Sequence, residues 1–116
     1  MSQAVIVSFT TLDFPNESEM RGFLHLVEQR YEAHAATLRA AGMTKFYVTR
    51  IFNKDDKFTI GNWLEYRDQV SFAKCDAIWK EYMSDLIKDV PQFAPKINPN
   101  RGIVLYDFTE AEKCHD

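Results

Sequence analysis

Two segments of the chain show the three- and four-residue spacing of apolar side chains that is typical of amphipathic helices. The first begins after Asn16 and ends before Gly42, and its apolar stripe is Met20, Phe23, Leu24, Val27, Tyr31, His34 and Leu38. The second begins after Asp68 and ends before Pro91, and its stripe is Phe72, Cys75, Trp79, Met83, Leu86 and Val90. Asn16 and Asp68 are residue types that cap helices, and Pro91 cannot continue one. Each stripe predicts a helix face that packs on a sheet.

Segments rich in β-branched and aromatic residues predict four strands around these helices, at residues 4–9, 44–52, 57–66 and 102–108. The polar residues 53–56 predict a hairpin turn, and the prolines within 91–101 predict a loop before the last strand. The resulting order, β-α-β-β-α-β, is the ferredoxin-like plan of the α+β class, with both helices on one face of a four-stranded antiparallel sheet. We expect a single domain over residues 1–108 and a polar tail over 109–116.

The sheet face without helices decides the expected assembly. The first and last predicted strands are apolar at both alternating positions, whereas a half-solvated sheet has polar residues on one side. If half a dozen such side chains leave water at ~25 cal/mol per Å² and ~100 Å² each, the gross gain is about 15 kcal/mol before association costs. The pattern therefore predicts a homodimer in which a second copy covers this face.

Composition narrows the classes of function. The 116 residues are 46% hydrophobic, 27% charged and 14% aromatic, with a net charge of −3, so the chain is globular rather than disordered. Lys and Arg form no run, which disfavours nucleic acid and anionic membranes as partners. With no signal-like start and no apolar run of about 18 residues, we expect a soluble, cytoplasmic protein. Cys75 and Cys114 lie far apart and are interpreted as free thiols.

The segment Trp63-Leu64-Glu65-Tyr66-Arg67-Asp68, which runs into Phe72, resembles the stretch before the second helix in the dimeric α+β barrel superfamily. The resemblance covers residues 3–108. It implies two ferredoxin-like sheets that close face to face. The superfamily includes antibiotic-biosynthesis-type monooxygenases that work without metal or flavin, haem-degrading monooxygenases, lactone isomerases and stress-responsive barrels of unclear activity, so the resemblance alone does not fix a reaction.

No cofactor is predicted. The haem-degrading branch places a haem-ligating His on the second helix, but residues 69–90 contain no His, and Tyr82 stands near the corresponding position. Cys114 and His115 supply only two of the three or four ligands that a metal site needs. The motifs of the common nucleotide-binding and hydrolase families are also missing from the sequence.

His34 is the best candidate for a catalytic residue, because it lies on the apolar stripe of the first helix and can act as acid or base near neutral pH. Its alternative is a structural histidine that is satisfied by neighbouring groups. Asp76, at the flank of the second stripe, is a candidate to orient it.

Candidate substrate-binding residues surround this position in the predicted fold. Asn62 and Trp63 are adjacent in a strand and must face opposite sides of the sheet, although the monooxygenase resemblance implies Asn and Trp side chains that hold a phenolic substrate. Arg50 is a polar anchor for a substrate anion or one half of an ion pair. Tyr31 and Trp79 are predicted to form an apolar wall, with core packing as the alternative reading for each aromatic ring.

The leading hypothesis is a homodimeric barrel enzyme, a cofactor-independent monooxygenase or isomerase that acts on a small apolar or aromatic metabolite. The alternative is a non-catalytic ligand-binding or stress-related barrel protein. A third possibility, an RNA-recognition module, shares the element order but is disfavoured by the pI of 5.6 and by the lack of the aromatic-glycine pattern of that class.

Overall fold

The computed structural model describes residues 5–90 and 95–109 of the chain. The elements are β1 (Ile6–Phe14), α1 (Glu17–Ala40), β2 (Met43–Arg50), β3 (Phe58–Tyr66), α2 (Gln69–Asp89) and β4 (Lys96–Ile103). All strand pairs are antiparallel, and the order across the sheet is β2-β3-β1-β4. The predicted α+β class and β-α-β-β-α-β order are therefore confirmed. The predicted polar tail falls mostly outside the described residues.

Both helices begin at the predicted caps. The Asn16 side chain accepts a hydrogen bond from the Glu19 backbone N–H at 2.8 Å, and the Asp68 carboxylate accepts one from the Ser71 N–H at 2.7 Å. Each cap satisfies a backbone donor that the first helical turn cannot pair. The caps therefore fix where α1 and α2 start, and with them the phase of the apolar stripes.

The first strand is longer than predicted. Sequence reasoning ended it at residue 9 and interpreted residues 10–16 as a turn, but β1 continues to Phe14. Its whole length pairs with β3, and all of it except Phe14 pairs with β4. Backbone hydrogen bonds to β3 on one side and β4 on the other outweigh the local turn tendency of Thr10, Thr11 and Asp13.

The last strand was predicted wrongly. It comprises Lys96–Ile103, most of which was interpreted as a loop, and not residues 102–108. The Val104 N–H donates to the Val5 carbonyl at 2.9 Å, and the alternation that follows from this bond turns the nitrogen of Pro99 away from β1. Proline is tolerated because β4 is an edge strand and the missing donor faces outward.

The face opposite the helices carries a compact aromatic patch, formed by Phe9, Tyr47 and Trp63. The ring centroids of Phe9 and Trp63 are 5.9 Å apart, and Tyr47 pairs with Trp63 in register. On β4 this face presents Asn98, Asn100 and Gly102, so the expectation of an apolar last strand does not hold there. Within residues 5–90 and 95–109 no helix covers the patch.

The Phe9 ring lies so close to Gly61 that any larger residue there would have to displace it. An added Cβ at residue 61 would lie 2.8 Å from Phe9 Cε1 and 3.0 Å from Thr49 Oγ1, whereas one at Gly102 would meet nothing nearer than Val7 Cγ2 at 3.7 Å. We expect Gly61→Ala to lower the free energy of unfolding by about 1–3 kcal/mol through overpacking. Gly102→Ala is the matched control and changes it by less than about 1 kcal/mol. Urea unfolding of both variants is the measurement, and equal effects would contradict this account of the patch.

Candidate functional site

The core between the helices and the sheet is divided into two clusters. One contains Ile6, Leu38 and Cys75, and the other contains Leu12, Met20 and Phe23. Between Ile6 and Leu12, β1 turns only Ser8 and Thr10 toward the helices, and these short side chains do not fill the layer. A cavity of about 250 Å³ results. Its walls come from three strands, β1, β3 and β4, and from both helices.

Aromatic rings form much of the cavity wall. Tyr31 and Phe23 of α1 meet edge to face at 6.2 Å, and Tyr31 meets Trp79 of α2 in the same way at 6.1 Å. Tyr66 and Phe72 close the wall on the side of the first cluster, with ring centroids 5.4 Å apart. The interior is therefore suited to a flat apolar molecule.

Asn62 is a buried polar group in the wall of this cavity. Its side chain is 6% exposed, and its Oδ1 has no hydrogen-bond partner among the described residues. A buried acceptor that lacks a partner costs about 1–3 kcal/mol, so such atoms are rare in folded proteins unless something else satisfies them. Because Asn62 lines the cavity, a donor group on a bound molecule is the partner that fits.

The two phenols in the cavity stay protonated at neutral pH. Burial raises the pKa of Tyr31 far above its usual range, with a smaller increase from Tyr82 and a partial offset from the neighbouring side-chain amide of Asn62. Burial likewise raises the pKa of Tyr66 to about 12. Both hydroxyls can donate or accept hydrogen bonds, but neither is a base.

Charged side chains surround the mouth of the cavity. The Asp76 carboxylate accepts a hydrogen bond from Arg101 at 3.4 Å and pairs with Lys80 at 3.1 Å. The Arg101 guanidinium also lies over the Phe72 ring, 5.6 Å from its centroid. The cavity is therefore apolar inside and ionic at its rim.

His34 is buried but does not line the cavity. It stacks on Tyr82 with a centroid distance of 3.9 Å and meets the edge of Trp79 at 4.3 Å, between the two helices. Burial lowers its pKa to about 4, so the imidazole is neutral at pH 7, and its Nε2 has no partner among the described residues. It reaches the cavity only through its contacts with Tyr31 and Trp79.

The structure brings together three of the six predicted site residues: Tyr31, Asn62 and Trp79. Trp63 lies on the opposite face of the sheet, where its Nε1 donates to Glu65 at 2.8 Å. Arg50 is exposed at the end of β2 and away from the cavity.

Sequence reasoning missed the residues that open the cavity. Ser8 and Thr10 have the two-residue spacing of one strand face, but Thr10 was assigned to a turn. Arg101 and Pro99 were interpreted as part of a loop, so the sequence did not predict that β4 forms a wall of the cavity. The available signal was a pair of small polar residues between Ile6 and Leu12, where a core strand normally carries large ones.

Residues 5–90 and 95–109 contain no group of three or more His, Cys, Asp or Glu side chains that is placed to hold a metal ion. Neither helix in that part is both long and apolar enough to cross a membrane.

The fold and the cavity define a ferredoxin-like α+β domain with a ligand-sized cavity under its helices. The chain belongs to a family described as a domain of unknown function, DUF6974, whose model matches residues 3–104. No curated protein matches the chain.

Solved structures confirm the expected class. Two dimeric ferredoxin-like proteins from uncultured marine organisms are 28% and 26% identical to this chain. They have TM-scores of 0.77 and 0.80, covering 90% and 93% of this chain and 99% and 100% of their own. The monooxygenase ActVA-Orf6 of Streptomyces coelicolor, in complex with nanaomycin D, is 7% identical with a TM-score of 0.64, over 93% of this chain and 94% of its own. SnoaB, a cofactor-independent oxygenase from Streptomyces nogalater, is 13% identical with a TM-score of 0.59, over 94% and 100%. The last two likenesses show the shared fold.

His34 makes stability depend on pH in a specific window. Its pKa falls from 6.5 in the unfolded chain to about 4 in the folded one, so below pH 6.5 the unfolded state binds more protons. We expect the free energy of unfolding to fall by up to about 1.4 kcal/mol per pH unit between pH 6.5 and 4, most steeply near pH 5, relative to a His34→Phe variant that lacks this proton. Urea unfolding of both proteins at pH 7, 6 and 5 measures the difference, and parallel curves would show that His34 is not buried as a neutral group.

Proposed function

We propose that this protein is a homodimer that binds a small aromatic metabolite in the cavity and oxidises it without a cofactor. The observation that carries the proposal is the buried, unpartnered Oδ1 of Asn62 in a cavity whose wall is largely aromatic and aliphatic. A site of this kind selects a molecule that presents a hydroxyl or N–H group to Asn62 and ring surface to the aromatic wall.

The size of the cavity limits the ligand. Its volume of about 250 Å³ lies below the range of roughly 300–1,000 Å³ that is typical of sites for drug-sized molecules. One or two fused rings with few substituents match this volume. Phenols and naphthols have that size, and their hydroxyl can donate a hydrogen bond to the unpartnered Oδ1 of Asn62.

The chemistry we propose uses the substrate's own carbanion. Loss of the phenolic proton places negative charge on the ring carbon opposite the oxygen. That carbon bonds to O₂, and loss of water from the resulting hydroperoxide gives a quinone, so 1-naphthol and O₂ become 1,4-naphthoquinone and water. Distant structural similarity to two oxygenases supports this reaction class by analogy of fold. Isomerisation of a substrate that forms a similar carbanion is the variant reaction that needs no oxygen.

Each cavity residue has a role in this proposal. Asn62 Oδ1 accepts the hydrogen bond of the substrate hydroxyl on binding and loses it when that proton moves to Asp76, while Tyr31, which lies beside Asn62, donates to the oxygen as its negative charge develops. Asp76, the carboxylate of the lining, takes the proton. His34 packs against Tyr31 and acts as a positioning residue, because it lies outside the cavity wall.

A second candidate function is ligand binding without turnover. One observation favours it: both carboxylate oxygens of Asp76 already have partners, because Oδ2 pairs with Lys80 and Oδ1 pairs with Arg101. In that case Asn62 and the aromatic wall serve recognition alone.

The dimer rests on the sheet face that carries Phe9, Tyr47 and Trp63. Their side chains form an apolar patch with no helix above it in the part of the chain that the structure describes. Soluble proteins rarely leave such a patch uncovered. The two relatives at 26% and 28% identity are described as dimeric, which supports a second copy as the cover.

Replacing Asn62 by leucine removes the acceptor with little change in volume. We expect Asn62→Leu to weaken 1-naphthol binding by about 10–100-fold, because the hydroxyl then lacks its partner. Binding of 1-methylnaphthalene, which has a methyl group in place of the hydroxyl, stays within about threefold. Isothermal titration calorimetry measures both ligands against both proteins. Equal losses for the two ligands would indicate a damaged cavity rather than a lost hydrogen bond.

Turnover distinguishes the two candidate functions. With 1-naphthol and ¹⁸O₂ we expect the quinone to contain one labelled oxygen atom and the released water the other, as detected by mass spectrometry. Asp76→Asn keeps the shape of the side chain and should slow product formation by about 100-fold or more. Binding of 1-naphthol without any enzyme-dependent product, in air or under nitrogen, would reject the oxygenase and leave the binding protein.

A further inference from the structure

The charged side chains that line the cavity stand together at its mouth. Asp76 and Lys80 lie one turn apart on α2, and Arg101 lies opposite them on β4. Two cations and one carboxylate give the mouth a net charge of +1, whereas the whole chain carries −3. A mouth with one surplus positive charge favours a ligand that carries one negative charge.

Arg101 is held in place by an aromatic ring. Its guanidinium carbon lies 5.6 Å from the centroid of the Phe72 ring, a cation–π contact that restricts the long side chain. The side chain is 48% exposed, and among the described residues it donates to one side-chain acceptor, Asp76. A guanidinium has several N–H donors in a planar fork that matches a carboxylate. Arg101 therefore has donors for a second acceptor that arrives from solvent.

The contact between Arg101 and Asp76 is easily exchanged. Its distance of 3.4 Å exceeds the roughly 2.7–2.9 Å that is typical of hydrogen bonds between charged groups. Ion pairs with this exposure contribute little to stability. If a ligand carboxylate takes Arg101, Asp76 still pairs with Lys80 at 3.1 Å. The mouth then holds two cations and two anions and is neutral.

Asn62 and Arg101 lie far apart in the cavity wall. Asn62 of β3 pairs in register with Thr10 of β1. Arg101 of β4 pairs with Ser8, two residues away on the same strand. At the usual spacing of strands and residues, the Cα atoms of Asn62 and Arg101 are therefore about 12 Å apart. A ligand that contacts both side chains must carry its hydroxyl and its anionic group at different ends of the ring system.

We propose that the ligand is an aromatic carboxylate, which places its hydroxyl on Asn62 and its carboxylate on Arg101. This inference rests on the proposed function and names the substrate class of that site. The ligand carboxylate displaces Asp76 Oδ1 from Arg101, so the proposed proton acceptor loses one of its two partners when an acidic substrate binds. Neutral phenols fill the same space but leave that contact in place, which makes them poorer substrates.

A pair of ligands that differ only in charge tests the carboxylate site. 5-Hydroxy-2-naphthoate contains the 1-naphthol unit and has a carboxylate on its other ring, and 5-hydroxy-2-naphthamide is its neutral counterpart. In isothermal titration calorimetry we expect the wild-type protein to bind the carboxylate at least about tenfold more tightly than the amide. Arg101→Gln abolishes this preference and changes binding of the amide by less than about threefold, because only the charge is lost. Arg50→Gln, at an exposed arginine away from the cavity, is the matched control and keeps the preference.

The results distinguish failure of this inference from failure of the proposed function. If 1-naphthol binds in a manner that depends on Asn62 but the wild-type protein does not prefer the carboxylate, the aromatic site stands and the carboxylate site is overturned. Equal losses of the carboxylate and the amide in Arg101→Gln would also overturn it, because Arg101 would then shape the cavity and not recognise charge. If 1-naphthol, the carboxylate and the amide all fail to bind, both proposals are refuted.

Discussion

The helix face of β1 is the constraint on which the rest of the structure depends. Strand alternation turns Ile6, Ser8, Thr10 and Leu12 toward the helices, and only the outer two are large enough to fill the core. The core therefore forms two clusters instead of one, and the gap between them exposes Asn62 on the neighbouring strand. Larger residues in the middle of β1 would produce a better packed protein without a site.

The two faces of the sheet serve different purposes. The face under the helices holds the cavity, whose polar groups are few and whose phenols stay neutral because burial raises their pKa. The opposite face carries Phe9 and Trp63 packed over Gly61, a surface suited to association and not to ligand binding. Asn62 and Trp63 are neighbours in sequence, and strand alternation turns Asn62 toward the cavity and Trp63 toward the opposite face.

Periodicity and capping predicted the helices, the hairpin and the element order, because these depend on local spacing. Strand β4 could not be predicted in this way: the Asn and Pro residues of Lys96–Ile103 favour a loop, and only pairing with β1 makes them a strand. The apolar residues after it resemble a strand, yet the single chain offers them no position in its sheet. The apolar stripe of α1 correctly predicted that His34 is buried. Spacing alone does not show whether a side chain packs on the sheet or on another helix, and His34 packs on Tyr82 of α2.

A crystal structure of the protein with 1-naphthol tests the central claim most directly. The account predicts that the naphthol ring lies against Tyr31 and Trp79, with its hydroxyl within hydrogen-bond distance of the Asn62 amide oxygen. A structure in which that oxygen is satisfied by a group of the protein itself, with the naphthol absent from the cavity, would contradict it.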